Sequence, residues 1–210
     1  LMRLAELQLM LVVFSMPLHA QQSISLSVGT LGPEFKSVAA VRELADKLET
    51  IVADQRSIIA AVTGKPAEQT PQVWALYKEV QDYYDQGMKV PDDVILLFAD
   101  DNWGQIRRLP TANLQRRGGY GVYYHFDYVG GPRNYKWINT NQIARVWEQM
   151  HLAYEAGANR IWIVNVGDIK PMEVPIQFFM DYAWDPERVP AGSLEGYMRA
   201  WAEREFGPEH

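Results

Sequence analysis

The sequence predicts an α/β fold, with about five parallel strands and helices outside them. Short, nearly continuous apolar or aromatic runs recur along the chain, and each suits a parallel strand buried on both faces. Between them lie segments whose apolar residues repeat at helical spacing, and strands alternating with helices build parallel sheets.

Taken in order, Ile24-Ser25-Leu26-Ser27-Val28 alternates apolar and polar residues, then meets Gly29, Gly32 and Pro33, as a strand entering a loop does. Over residues 38–62, Val41, Leu44, Ala45, Leu48, Ile51, Val52, Ile58 and Ile59 make one helical stripe, which Gly64 and Pro66 end. Residues 73–84 fit both periods, and we read a strand through Tyr77 followed by a helix from about Val80. Three stronger strands occupy residues 94–99, 120–128 and 161–166. Between the last two, Ile143, Val146, Trp147, Met150, Leu152 and Ala153 mark a crossover helix over 141–156, closed by Gly157. Helical patterns also cover 176–183 and 194–206. Five strands cannot close an eight-stranded barrel, so the expectation is an open sheet or part of a barrel.

Composition narrows the function. With 210 residues, 48% hydrophobic and 22% charged, the chain can bury a sizeable core. A formal charge of −6 argues against nucleic acid or an anionic membrane as partner, since both require a cationic face. The absence of cysteine excludes disulfides, thiolate metal sites and a cysteine nucleophile. Met2-Arg3, the apolar run from Leu9 to Phe14 and Pro17-Leu18-His19-Ala20 are patterned like a secretory signal. Residues 1–20 are therefore a candidate signal and 21–210 the domain, with a secreted or periplasmic location expected. The alternative for this segment is a short buried helix or strand.

Each strand runs into polar and aromatic residues at its C-terminal end, where parallel α/β folds place their sites. The first gives Tyr77 and Glu79, and the second Asp100, Asp101 and Asn102. The third gives His125, Asp127 and Tyr128, with Arg133 on the loop beyond, and the fourth gives Asn165 and Asp168. Carboxylates converging on one rim suit acid/base hydrolysis, in which one protonates the leaving group and another activates water. Plainer roles compete with these. Glu79 would suit a first helical turn, and Asp100 or Asp101 could cap a helix over 103–109. His125, between Tyr124 and Phe126, could be a buried structural histidine. No second histidine lies at ligand spacing, so a metal is not expected; no Gly-rich phosphate loop or nucleotide fingerprint is present, and no cofactor is expected. Arg107-Arg108 could clamp a substrate carboxylate, or pair with Asp100, Asp101 or the sheet rim. Among the aromatic residues Trp74, Tyr77, Trp103, Tyr123, Tyr124 and Tyr128 core packing explains most, whereas Tyr135 and Trp137 lie on loops and suit stacking against sugar.

Several longer stretches resemble the catalytic barrel of glycoside hydrolase family 115. They are Trp74-Ala75-Leu76-Tyr77-Lys78-Glu79-Val80, Asp100-Asp101-Asn102-Trp103-Gly104, Arg107-Arg108-Leu109-Pro110, Tyr123-Tyr124-His125-Phe126-Asp127-Tyr128 with Val129-Gly130-Gly131-Pro132-Arg133, and the run from Trp162 to Glu173. The resemblance spans about residues 51–186. It implies a partial (β/α)8, or TIM-type, barrel and an inverting, metal-free removal of glucuronic acid or its 4-O-methyl ether from xylan. It also implies Glu79 as general acid, with Tyr77, Asp100, Asn102, His125 and Tyr128 lining the uronic-acid pocket. Strand-end position makes Asp100 the second catalytic candidate and adds Asp101, Arg133, Asn165 and Asp168 to the substrate-binding candidates. The expected partner is glucuronoxylan or its oligosaccharides, and a homodimer is the candidate assembly. In the stretch 27–35, Leu31 and Phe35 stand where the family has an arginine and an acid, with Glu34 displaced between them. That substitution supplies the alternative, a uronic-acid-binding or scaffolding module that lacks the second carboxylate. A third reading, an unrelated open α/β protein whose strand-end acids only cap and pair, does not account for the long motifs.

Overall fold

The computed structural model describes residues 38–128, 131, 133 and 136–209. The candidate signal, the strand expected at 24–28, Leu31, Glu34, Phe35 and Tyr135 lie outside the described residues. Four strands, β1 (Val73–Leu76), β2 (Ile95–Ala99), β3 (Tyr120–His125) and β4 (Trp162–Asn165), form one parallel sheet in chain order. Five helices accompany it: α1 (Val38–Thr63), α2 (Glu79–Asp85), α3 (Ile143–Glu155), α4 (Glu173–Trp184) and α5 (Leu194–Phe206). The expected parallel α/β class is therefore observed.

Register explains the core. Leu76 pairs with Phe98, Phe98 with Val122 and Val122 with Trp162, so one row crosses all four strands. Because side chains alternate along a strand, Leu96, Tyr120, Tyr124 and Val164 share that face. All are buried with Val41 and Ala45 of α1, Val146, Met150 and Ala153 of α3, and Phe178, Phe179 and Tyr182 of α4. The continuous apolar runs led us to expect equal burial on both faces. The second face is instead partly open: Ala75 is exposed and Ile163 and Asn165 are half-buried, although Leu97 and Ala99 remain covered.

Other differences have local causes. The apolar stripe of α1 is buried at Val41, Ala45 and Val52, but Ile51 and Ile58 are exposed. At 26 residues the helix is about 39 Å long, at ~1.5 Å per residue. The longest strand, six residues, spans only about 20 Å, so α1 outruns the layer beneath it. β3 ends at His125 rather than at residue 128, its ladder finishing with the Phe126 amide donating to the Asn165 carbonyl at 2.8 Å. No helix forms over 103–109. Asp101 Oδ1 accepts from the Trp103 and Gln105 amides at 2.9 and 3.0 Å, which closes a turn instead. Gly104 completes that turn at φ +76°, and a Cβ there would stand 2.8 Å from the Tyr124 hydroxyl. Arg107 and Arg108 pair with Asp82 and Asp85 at 3.6 and 3.1 Å. The partners are on α2 rather than Asp100 or Asp101, and they tie that helix to the segment after β2.

Two glycines give opposite expectations. A Cβ on Gly121, inside β3, would lie 2.1 Å from the Ile161 carbonyl oxygen and 2.7 Å from Leu97 Cδ2. Gly121→Ala should therefore destabilise the fold by about 1–3 kcal/mol, as overpacking does. Gly196 of α5 has nothing within 4 Å, and Gly196→Ala should stabilise by about 0.5–1 kcal/mol through helix propensity. Urea denaturation of the two variants beside the parent checks both signs.

Candidate active site at the C-terminal ends of the strands

The open sheet face leads to one cluster. Tyr123 and His125, two apart on β3, project on the same side, with ring centroids 4.2 Å apart. Tyr77, just beyond β1, brings its ring within 6.1 Å of Tyr123, 5.6 Å of His125 and 6.3 Å of Tyr128. Tyr128 in turn lies 4.1 Å from His125. Four rings from two strand ends thus face one another.

Asp100 closes the cluster from behind. One residue past β2, its side chain has no exposed surface. Its Oδ1 lies 2.6 Å from His125 Nδ1, its Oδ2 accepts the His125 amide at 3.1 Å, and the Tyr128 hydroxyl donates to Oδ1 at 3.1 Å. The same hydroxyl donates to the Asp100 carbonyl at 2.5 Å. Burial raises the Asp100 carboxyl above the usual aspartate range, and the hydrogen bonds from His125 and Tyr128 offset this in part. With Nδ1 held by the carboxyl, Nε2 is the imidazole nitrogen left for another partner. Burial, followed by the charge of Asp100, also raises the Tyr128 hydroxyl, which stays a neutral donor. The Tyr77 hydroxyl is pushed up to about 12, first by burial and then by Tyr123, Asp100 and Glu79. It too remains protonated.

Between Tyr77 and Glu79 the chain makes an abrupt turn. Lys78 has φ +49° and ψ −124°, a combination that L residues rarely adopt, and its ammonium lies 5.1 Å from the Tyr77 ring centroid. Strain of this kind persists where surrounding structure fixes the backbone. Glu79 then opens α2, exposed to solvent.

The other expected residues divide. Asn165 is the ladder partner of His125, with its amide 3.4 Å from the Tyr123 hydroxyl, so it belongs to the cluster. Asn102 donates to the Gly131 carbonyl at 3.1 Å, linking the loops after β2 and β3. Arg133 lies 5.4 Å over the Trp103 ring and donates to Thr140 Oγ1 at 3.2 Å. Asp101 is engaged in its turn. Asp168 is exposed on the loop after β4, and no described contact joins it to the cluster. Tyr123 was missing from the expected site, although its alternation with His125 along β3 would have pointed to it. Lys136 and Arg145 were also missing. They line a cavity of about 250 Å³ beside the cluster with Asn102, Trp103, His125 and Arg133. Among the described residues no group of acids and histidines could hold a metal ion.

A parallel sheet that gathers carboxylate, imidazole and phenol groups at its strand ends has the layout of a barrel-type hydrolase domain. The chain matches the model of Glycosyl hydrolase family 115 over residues 23–210, and it belongs to that family. A solved structure described as a family GH115 4-O-methyl-α-glucuronidase with specificity for decorated arabinogalactans is 41% identical, with a TM-score of 0.78. The similarity covers 84% of this chain and 23% of that one, so the chain spans about a quarter of that protein's length. No curated protein matches the chain.

The buried carboxyl makes a signed prediction. Its folded pKa lies above that of an unperturbed aspartate, so the stability it contributes is complete below the unperturbed value and is lost as pH rises through the raised one. Asp100→Asn removes the titration while mispairing one donor at every pH. The stability of the parent relative to Asp100→Asn should therefore fall as pH rises from below 3.8 towards neutral. Denaturant titrations at several pH values measure this, and a difference that grows with pH would contradict the burial argument.

Proposed function

We infer that this chain forms part of the active-site rim of a glycoside hydrolase that releases glucuronic acid or its 4-O-methyl ether from xylan side chains. The observation that carries the reading is the gathering of Tyr77, His125 and Tyr128 around one strand-end site, with Glu79 beside Tyr77, in a chain of family 115. Neutral Tyr77, with His125 Nε2 and Asn165, offers a sugar hydrogen bonds and a ring face, while the Tyr128 hydroxyl is committed to Asp100. Glu79 is exposed and therefore accessible as the general acid. In the inverting reaction it gives its proton to the glycosidic oxygen as the bond to the anomeric carbon breaks. Water attacks the opposite face and loses a proton to a base carboxylate, which needs to stand roughly 6.5–9.5 Å from the acid.

Asp100 does not fit that second role. A carboxyl with no exposed side-chain surface and three donors on it cannot touch the attacking water. It acts on the site through His125, fixing the imidazole, and is a positioning residue. Asp101 is held by its turn. Asp168 stands apart. The base is therefore absent from the gathered residues, and this favours a second reading, in which the chain by itself binds acidic sugar without cleaving it. A secreted or periplasmic site of action accompanies both readings and rests on residues 1–20 alone.

The purified chain and a Glu79→Gln variant should be incubated with uronic-acid-bearing oligosaccharides from glucuronoxylan and, separately, from decorated arabinogalactan. Any release should fall at least about 100-fold in the variant, the lower range for loss of a general acid. Release that survives the substitution removes Glu79 from the mechanism, and binding without release establishes the second reading. Failure to bind either oligosaccharide would count against both.

A further inference from the structure

The turn that separates Tyr77 from Glu79 is one its own sequence makes difficult. The Val80 amide donates to the Tyr77 carbonyl at 3.1 Å, so residues 77–80 close a β-turn with Lys78 as its first inner residue. At φ +49° and ψ −124°, Lys78 has the backbone of a type II′ turn, in which that position is ordinarily a glycine. The Gln81 amide then donates to the Lys78 carbonyl at 3.2 Å, and α2 begins. Ahead of the turn Leu76 is fully buried, and behind it Glu79 is exposed. A single residue at positive φ thus carries the chain from the core to the rim.

A lysine at such a place needs a reason. Its Cβ meets the strain that a glycine escapes. The ammonium lies 5.1 Å from the Tyr77 ring centroid, but an exposed contact of a cation with a ring returns less than the strained backbone costs. Stability alone would therefore favour glycine. What the lysine adds is constraint. Its side chain reaches back to Tyr77, and the Tyr77 ring is packed in turn within 6.1 Å of Tyr123, 5.6 Å of His125 and 6.3 Å of Tyr128. Glycine could take either sign of φ, which would free the direction of Glu79 and the tilt of the Tyr77 ring together.

We propose that Lys78 is a positioning residue that locks the turn between Tyr77 and Glu79, so that the acid and the aromatic cluster keep one mutual arrangement. The inference rests on the reading of Glu79 as general acid. Lys78 acts through the Tyr77 ring and through the backbone that leads into Glu79, without having to touch the substrate. The acid depends on such a lock because it is exposed at the head of a helix of only seven residues, where packing does little to aim it. Misplacing a reacting group by about 1 Å can cost on the order of 100-fold in rate.

Three variants of the whole chain separate strain from constraint. Lys78→Gly relieves the strain and removes the cation, Lys78→Gln keeps the strain without the cation, and Lys78→Arg keeps both. In thermal melts Lys78→Gly should unfold about 2–4 °C above Lys78→Gln. In NMR spectra of tyrosine-labelled protein, the Tyr77 ring resonances should move in Lys78→Gly and Lys78→Gln and return close to their parental positions in Lys78→Arg. In the release of uronic acid from oligosaccharides, kcat should fall at least about tenfold in the glycine and glutamine variants, with KM within about twofold, and arginine should restore most of it. A glycine variant that melts no higher than the glutamine variant shows that the position is unstrained and overturns the proposal. Tyr77 resonances that stay parental in both variants, or move as far in Lys78→Arg, overturn it as well, as does a parental kcat in Lys78→Gly. If the parent releases nothing, or Glu79→Gln releases as fast as the parent, the function proposed above fails, while the melts and the Tyr77 resonances still decide whether Lys78 locks the turn.

Discussion

A carboxyl group without exposed surface must find its hydrogen bonds inside the protein, because an unsatisfied buried oxygen costs on the order of 1–3 kcal/mol and a buried charge more. Asp100 meets this demand from the end of β3 and the loop beyond it: the amide and ring of His125, and the hydroxyl of Tyr128. These bonds join the end of β2 to the end of β3 at the rim that carries the site. They also fix the imidazole, and with it the Tyr77, Tyr123 and Tyr128 rings packed around it. Removing the carboxylate would leave two groups on the neighbouring strand without their acceptor. Site geometry and strand-end stability therefore share one cause.

Burial also divides roles between acids that look alike in sequence. Asp100 and Glu79 both follow an apolar run, and both are candidates wherever strand-end carboxylates gather. What separates them is the backbone just before each. Asp100 follows a fully buried strand end, Phe98-Ala99, and stays within the protein. Glu79 follows Lys78, whose positive φ breaks the extended path, and it emerges exposed at the head of α2. An acid that must give a proton to a bound sugar has to be reachable, and one that orients an imidazole has to be enclosed. The two conditions exclude each other at a single residue.

Much of this arrangement was legible in the residue pattern where period alone decides. Leu194 to Phe206 became α5 with the expected bounds, and the parallel strands lie where their apolar runs predicted. The pattern failed where a tertiary contact overrides it. Residues 103–109 carry nothing that forbids a helix except Gly104, and that glycine is fixed by the Tyr124 hydroxyl approaching from β3. The expected extension of β3 to residue 128 failed because Tyr128 turns back to Asp100, a partner 28 residues away. The strand-end rule named Tyr77, Asp100, His125, Tyr128 and Asn165, which the structure brings together. It could not rank Asp100 against Glu79, since burial depends on neighbours that no local window contains. It missed Lys136 and Arg145 because a lysine on a loop and an arginine in the first turn of a helix look like solvated surface until two loops enclose them.

The acidic excess of the chain and its cationic cavity follow from one electrostatic argument. Distributed over an exposed surface, the acids repel anions weakly, because solvent and salt screen charges beyond about 10 Å. A recess with cations and no acid on its walls keeps its attraction, since the nearby protein displaces the screening water. Arg133, Lys136 and Arg145 line such a recess among the described residues. That recess adjoins His125 and Tyr128, which line it too. A negative overall charge thus argues against a polyanion lying along the surface, as nucleic acid does, but not against a single carboxylate held in a pocket. Net charge by itself cannot distinguish those ligands, because it carries no information on where Arg133, Lys136 and Arg145 stand.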